Sequence, residues 1–392
     1  MDFNLDFTKR EYLARMAKTR ASMEKEGMDM LLVSDPANIC YLSGHNAWSF
    51  YVHQGLLVTL NDEMPVFVGR FMDAFGVVKT TWLTEDHVKS YPDTSVQNPL
   101  VHPMERFAEI INDMGYGNKT IGVEMDNYWF TAAAYETLKA KLPNAKFKNA
   151  NVLVNWVRII KSEQEIEYQR RAGKCAELQI QAAVDTIGPG VRECDVVAAI
   201  YSAGIKGTQE FGGDYASIVP MLPAGENAGI PHLTWTDNRY PGNIVVAIEL
   251  AGCHRRYHSP MARTISIGKP SQKVIDVAKA AVEGLESALN AVKPGVCCEE
   301  PHTAFKNVMK KYGMDKEARI GYSMGLNYPP DWGEHTASIR PGDKTIMQPN
   351  MTFHCIPGMY YKDFGLSISE AFQVTETGYE TFGHYPRELI IK

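Results

Sequence analysis

Apolar positions recur at helical spacing across residues 9–26, where Tyr12, Met16 and Met23 share one face. The short apolar run Met30–Val33 predicts a buried strand, and Ser34-Asp35-Pro36 after it a turn. Residues 56–60 and 64–68 are two further apolar runs flanking Asn61-Asp62-Glu63, which predicts a hairpin. Helical patterns over 104–114 and 131–142 enclose a strand pattern at Thr120–Val123. Strands alternating with helices predict an α/β unit up to about residue 150.

The second half carries a different rhythm. Ser162 with Glu165 three positions on is a capping-box pattern, opening a long helix through Ile187 that stops at Gly188-Pro189-Gly190. A shorter helix follows over 194–203. The same unit returns, with a helix over 272–292, the stop Lys293-Pro294-Gly295-Val296 and a helix over 299–312. Strand patterns follow each pair, at 244–250 and 352–356. The two helix stops lie about 105 residues apart, too far for a solenoid repeat of roughly 20–50 residues. The pattern predicts an internal duplication, with helices outside a curved sheet and a pocket at the shared axis. Gly188-Pro189-Gly190 has no strand before it and no Lys-Ser/Thr pair after it, so it is a helix stop and not a phosphate loop.

Composition narrows the function. At 392 residues, with 45% hydrophobic and 22% charged positions, the chain is an ordinary globular one of two expected domains. A net charge of -6 argues against a nucleic-acid partner. No apolar run approaches the ~20 residues of a membrane helix, and residues 1–20 lack the apolar core of a secretory signal. Seven cysteines with no CxxC pair predict reduced thiols and a cytoplasmic setting, with Cys253 and Cys355 as minor nucleophile candidates.

Several landmarks carry a family resemblance. Arg158-Ile-Ile-Lys161-Ser162-Glu163-Gln-Glu165-Ile166, followed by Arg170 and Ala172, resembles the entry to the catalytic domain of the pita-bread family. That family includes aminopeptidase P, prolidase, methionine aminopeptidase and creatinase. Arg263-Thr264, Gly321-Tyr-Ser-Met-Gly325 and the segments 349–358 and 365–378 follow in order. The resemblance implies an α/β (α+β) protein. A creatinase-like N-terminal α/β domain would span 1–155, and a pita-bread catalytic domain with a pseudo-twofold duplication 156–392.

The peptidases of the family hold two metals through two aspartates, a histidine and two glutamates. Matched one at a time, those positions fall here at Glu249 (with Ile248 the alternative by one residue), Pro260, Tyr322, Ile356 and Ser369, with Glu370 beside the last. At most one ligand survives, whereas a two-metal site needs several carboxylates. No metal and no other cofactor is expected. Within the family the chain resembles the metal-free branch that includes creatinase, and within that branch the ectoine hydrolases. Residues 321–334, Ile339-Arg-Pro-Gly-Asp343, Ile248-Glu-Leu-Ala-Gly-Cys253 and Ser259-Pro-Met-Ala-Arg-Thr264 carry this resemblance. It implies a small zwitterionic substrate, a cyclic amidine opened to an N-acetyl-2,4-diaminobutyrate. Hydroxyectoine is a further candidate substrate, and a deacetylase a candidate downstream partner. The alternatives are a creatinase-type amidinohydrolase, another small-osmolyte enzyme such as a dimethylsulfoniopropionate lyase, or a peptidase-like protein without activity.

The residues suggest roles. Glu249 closes an apolar strand, where burial raises a carboxyl pKa unless a cation compensates, and an amidinium would be that cation. It would activate water or attack the amidine carbon itself; the competing reading pairs it with Arg255, Arg256 or Arg263 for structure. His232, in the loop before that strand, is a proton-transfer candidate. Tyr322 would stabilise the intermediate or orient substrate. Asp331, Trp332 and Glu334 lie in a proline-rich loop suited to a site wall, with Trp332 a platform for the amidinium and Glu334 a partner for a ring N–H. Glu370 is a further wall candidate. Arg340, Arg263 and His354 are candidates for the substrate carboxylate. In the family, an aromatic loop of one subunit closes the site of its partner in a homodimer. Trp48, Phe50, Tyr51 and His53 stand in the matching stretch, where Val52 replaces an arginine of creatinase.

Overall fold

The computed structural model describes residues 5–392, so the first four residues of the N-terminal stretch lie outside the described residues. The chain divides into two compact units, Met1–Arg158 and Ile159–Lys392.

The N-terminal unit is built on a six-stranded mixed sheet. Its strands are ordered Val88–Tyr91, Val66–Arg70, Gly55–Thr59, Met30–Val33, Thr120–Val123 and Lys146–Asn149. Met30–Val33 pairs antiparallel with Gly55–Thr59 and parallel with Thr120–Val123. Residues such as Met30, Leu32, Phe107, Ile121 and Leu138 form one buried cluster between the sheet and the helices Pro103–Asp113 and Ala132–Lys141. Full burial of each such side chain contributes about 1.5–3 kcal/mol. Ser34-Asp35-Pro36 is not a free turn as the pattern predicts. Asp35 accepts a hydrogen bond from the N–H of Ala37, and Pro36 opens a helix, Pro36–Ser43. The same residue types that make turns also cap helices, so the local pattern was ambiguous. The helix Phe71–Thr80 and the edge strand Lys146–Asn149 also lie where no element is predicted.

The C-terminal unit repeats an order of two helices and then strands. Helices Glu163–Thr186 and Glu193–Lys206 lead to the hairpin Ile244–His254 and Tyr257–Ile267. Helices Gln272–Asn290 and Glu299–Lys311 lead to Gly321–Met324, Gly333–Ile339, Thr352–Cys355 and Glu370–Val374, which lie in one five-stranded sheet. The capping box at Ser162 is present. Its hydroxyl accepts from the N–H of Glu165, and the Glu165 carboxylate accepts from the N–H of Ser162 at 2.8 Å. Gly252 permits the long helix to lie directly on the hairpin, because a Cβ there would stand 1.9 Å from the carbonyl oxygen of Ala172. The strand predicted over 244–250 runs on to His254, so Glu249 stands near its middle and not at its end.

Candidate active site

Strand alternation decides which residue of the Ile248-Glu249 pair faces the site. Ile248 and Leu250 are fully buried in the core shared with Ile180, Ile200 and Ile265. Glu249 therefore takes the opposite face. Its backbone pairs with Ala262 across the hairpin and exchanges two 2.9 Å hydrogen bonds with Met221. The side chain faces a narrow cleft of only about 20 Å³, whose wall includes Met221, Pro231, His232, Ala247 and Tyr360.

Burial pushes the Glu249 carboxyl up to about 7. Among the described residues no cation forms an ion pair with it. The arginines that would pair with it for structure are engaged elsewhere or turned to solvent. Arg263 donates to Glu370 at 2.7 Å and to the carbonyls of Pro386, Ala262 and Ser369. Arg256 lies 3.6 Å from Asp214 and donates to the Asn327 carbonyl. Arg255 is exposed.

His232 is exposed and lines the same cleft, on a backbone with φ of 70°. That left-handed conformation is unfavourable for a residue with a Cβ, so the loop imposes it. Tyr360 also lines this cleft, and pattern reasoning passed over it. Burial first and the Glu249 charge second raise its pKa to about 12. Its only sequence signal is its place two residues after Pro357-Gly358. The same two causes hold Tyr322 well above the usual phenol value. The cleft thus joins one raised acid to the protonated phenol of Tyr360, and Tyr322 stands within the field of the same acid.

Tyr322 belongs to a chain of hydrogen bonds. Trp332 Nε1–H donates to its hydroxyl at 2.8 Å, and that hydroxyl lies 3.0 Å from His354 Nδ1. His354 Nε2 lies 2.8 Å from Ser369 Oγ, which accepts from the N–H of Ala262 at 2.8 Å. Burial pushes His354 down to about 3, so it is neutral. Trp332 is fully buried, and its indole N–H is spent on Tyr322.

Three wall candidates have other partners. Glu334 lies 2.7 Å from the ammonium of Lys161, both side chains being 1% exposed. Glu370 accepts from Arg263 at 2.7 Å and Arg387 at 3.1 Å. Asp331 accepts from the N–H of Gly333 and lies 2.7 Å from His335 Nε2. Burial raises the Asp331 pKa, but hydrogen bonds from His335 and the N–H groups of Gly333 and Trp332, with the His335 charge, outweigh it and leave the pKa lowered. The carboxylate candidates fare unequally. Arg340 is exposed, Arg263 is held by backbone carbonyls and His354 lies in the chain of hydrogen bonds. Arg319 was not singled out, yet its guanidinium stands 4.7 Å from the Tyr322 ring centroid.

In the N-terminal unit, Trp48, Phe50, Tyr51 and His53 line a cavity of about 560 Å³ with His102 and Trp129. They sit on a turn and not on a core strand, with Trp48 and Tyr51 exposed and Phe50 buried. Burial and the neighbouring His102 lower His53 to about 4.

Pro260 and Ile356, at two of the implied metal-ligand positions, offer no donor atom, and Tyr322 and Ser369 bond to His354. Among the described residues no three His, Cys, Asp or Glu side chains gather to hold a metal ion. These residues do not fit a two-metal centre. Cys253 and Cys355 are buried, and burial raises both thiols to about 12, far from thiolate chemistry. Among the described residues no helix is long and apolar enough to cross a membrane.

Comparisons agree across the whole chain. Residues 15–160 match the creatinase/prolidase N-terminal domain, and residues 167–376 match metallopeptidase family M24. An ectoine hydrolase from Halomonas elongata is 46% identical, with 99% of each chain covered. An Xaa-Pro dipeptidase from Lactobacillus helveticus is 27% identical over 95% of this chain and 98% of the relative. A prolidase from Thermococcus sibiricus superposes with a TM-score of 0.85 at 22% identity, covering 97% of this chain and 99% of that one. An X-Pro aminopeptidase from Thermotoga maritima gives 0.80 at 20% identity, covering 96% and 99%. The α/β (α+β) pita-bread architecture and the family resemblance both hold, and the chain belongs to the M24 family of creatinase and prolidase relatives.

Proposed function

We propose that this protein hydrolyses the cyclic amidine of ectoine to an N-acetyl-2,4-diaminobutyrate without a metal ion, and accepts hydroxyectoine as well. The observation that carries the reading is Glu249, a carboxylate raised to about 7 in a cleft where no cation among the described residues pairs with it. A planar amidinium would supply the missing charge and lower that pKa, so binding and ionisation reinforce each other. The resemblance to the Halomonas elongata ectoine hydrolase supports the substrate.

Ring opening needs an oxygen on the carbon between the two nitrogens and a proton on the nitrogen that leaves. Glu249 takes the proton of an attacking water, or adds its own oxygen first and is freed by water afterwards. His232, which lines the same cleft, donates a proton to the departing nitrogen and is recharged by the proton taken from water. Tyr322 and Tyr360 donate hydrogen bonds as neutral phenols. Arg319 is the group proposed for the substrate carboxylate. We assign the aromatic turn of Trp48, Phe50, Tyr51 and His53 to closing the site of a partner subunit in a homodimer. The free thiols suit a cytoplasmic setting. The acetamide product calls for a deacetylase as the next enzyme.

Proton NMR of purified protein with ectoine tests this. The ring methyl signal should give way to an acetamide methyl, unchanged in rate by EDTA. Creatine and dimethylsulfoniopropionate serve as the competing substrates. Turnover of either of these, with ectoine untouched, would overturn the assignment.

A further inference from the structure

The hydrogen bonds around Tyr322 contain one proton more than the protein can accept. Trp332 Nε1–H and the N–H of Ala262 can only donate, to Tyr322 Oη and Ser369 Oγ respectively. Neutral His354 bridges the two hydroxyls with one N–H and one bare nitrogen, and the assignment of that proton decides the rest.

Two arrangements exist. With the proton on Nε2, His354 donates to Ser369, Tyr322 donates to Nδ1, and the Ser369 hydroxyl proton is left without an acceptor. Ser369 is 0% exposed, so that stranded donor would bear its full desolvation cost. With the proton on Nδ1, Ser369 donates to Nε2, and Tyr322 Oη accepts from both His354 and Trp332. The surplus proton is then that of Tyr322, whose side chain, unlike that of Ser369, keeps some exposed surface and lies within the field of Glu249. A donor that opens to water or substrate costs far less, so the second arrangement prevails.

We infer that Ser369 locks His354 as the Nδ1–H tautomer, and that His354 and Trp332 together turn the Tyr322 hydroxyl proton outward as a fixed donor. That donor meets the oxygen forming on the substrate carbon. Tyr322 is a catalytic residue in this scheme, and His354, Ser369 and Trp332 are positioning residues. The catalytic part rests on the C–N hydrolysis proposed above; the tautomer does not.

Nitrogen-15 spectra of histidine-labelled protein read the tautomer directly, with His354→Asn to identify the signal. We expect Nδ1–H in the native protein, with a shift toward Nε2–H in Ser369→Ala. A native Nε2–H tautomer would overturn the inference whatever the enzyme acts on. In turnover, Tyr322→Phe should lower kcat roughly 10²-fold with little change in KM. Ser369→Ala should lower kcat about 10-fold, and should cost nothing further in the Tyr322→Phe background. A rise in KM at constant kcat, or additive losses, would remove the catalytic role. Native protein that leaves ectoine intact refutes the proposed function and leaves the tautomer measurement to decide the lock.

Discussion

The ammonium of Lys161 lies 2.7 Å from Oε2 of Glu334, with each side chain 1% exposed. Lys161 also donates to the Ile159 carbonyl at 3.1 Å. Two charges taken this far from water are tolerable only together. This pair ties the start of the catalytic unit to the strand Gly333–Ile339. It leaves Glu334 a structural role where the proline-rich loop suggested a substrate contact. Lys161→Met should therefore lower unfolding stability by about 3–5 kcal/mol, because it strands a buried carboxylate. The double variant Lys161→Met/Glu334→Leu should recover much of that loss. Chemical denaturation monitored by tryptophan fluorescence checks both, and equal stability of the single variant and the native protein would refute the structural role.

Glu249→Gln keeps the shape of the side chain and removes its charge and basicity. It should reduce kcat about 10³-fold without lowering the thermal transition, since the strand carrying it is held by Ile248 and Leu250 on the other face. Retained turnover with ectoine would exclude Glu249 as the base or nucleophile.

The raised Glu249 pKa sets opposite trends for activity and stability. The folded value of about 7 lies above the usual carboxyl value, so the folded state holds an extra proton between those two pH values. The contribution of this group to stability is greatest at acid pH, declines as pH rises toward about 7, and is constant above it. Turnover needs the carboxylate, so kcat/KM should climb with pH through about 7. The corresponding limb in kcat should lie lower, because a bound amidinium favours the charged form. A kcat/KM profile flat between pH about 6 and 8 would contradict the assignment.

Exhaustive chelation, followed by addition of zinc, manganese or cobalt, should leave ectoine turnover unchanged. The reason lies in the donor set, where Pro260 and Ile356 stand at two positions that would have to ligate. Activity lost to chelation and restored by a divalent ion would show that the substituted cleft still works through a metal.

Much of the fold was legible because it follows local rules. The capping box at Ser162, the helix stops at Pro189 and Pro294 and the apolar run Met30–Val33 each answer to spacing within a few residues. The helix Pro36–Ser43 escaped because Asp and Pro mark a helix start and a turn alike. In the site, Glu249 was legible as an acid in an apolar strand. Tyr360 was not, because nothing in Met359-Tyr360-Tyr361 says which tyrosine faces the acid. Trp332 and Glu334 were legible as members of a proline-rich loop, but a loop pattern does not reveal that Tyr322 and Lys161 wait on the other side.

The family resemblance implied that Pro260, Tyr322, Ile356 and Ser369 stand at metal-ligand positions; the amino-acid order alone determined the two α/β units and the duplicated helix pairs. These depend on side-chain type and short-range spacing, which a linear chain displays in full. The tertiary structure alone decided that Glu249 has no partner cation among the described residues, that Glu334 and Glu370 do, and that Tyr322 is bonded to Trp332 and His354. Those outcomes depend on which residues, ten to almost two hundred positions apart, share one dry space. There the loss of water makes every charge and every proton answerable to its immediate neighbours.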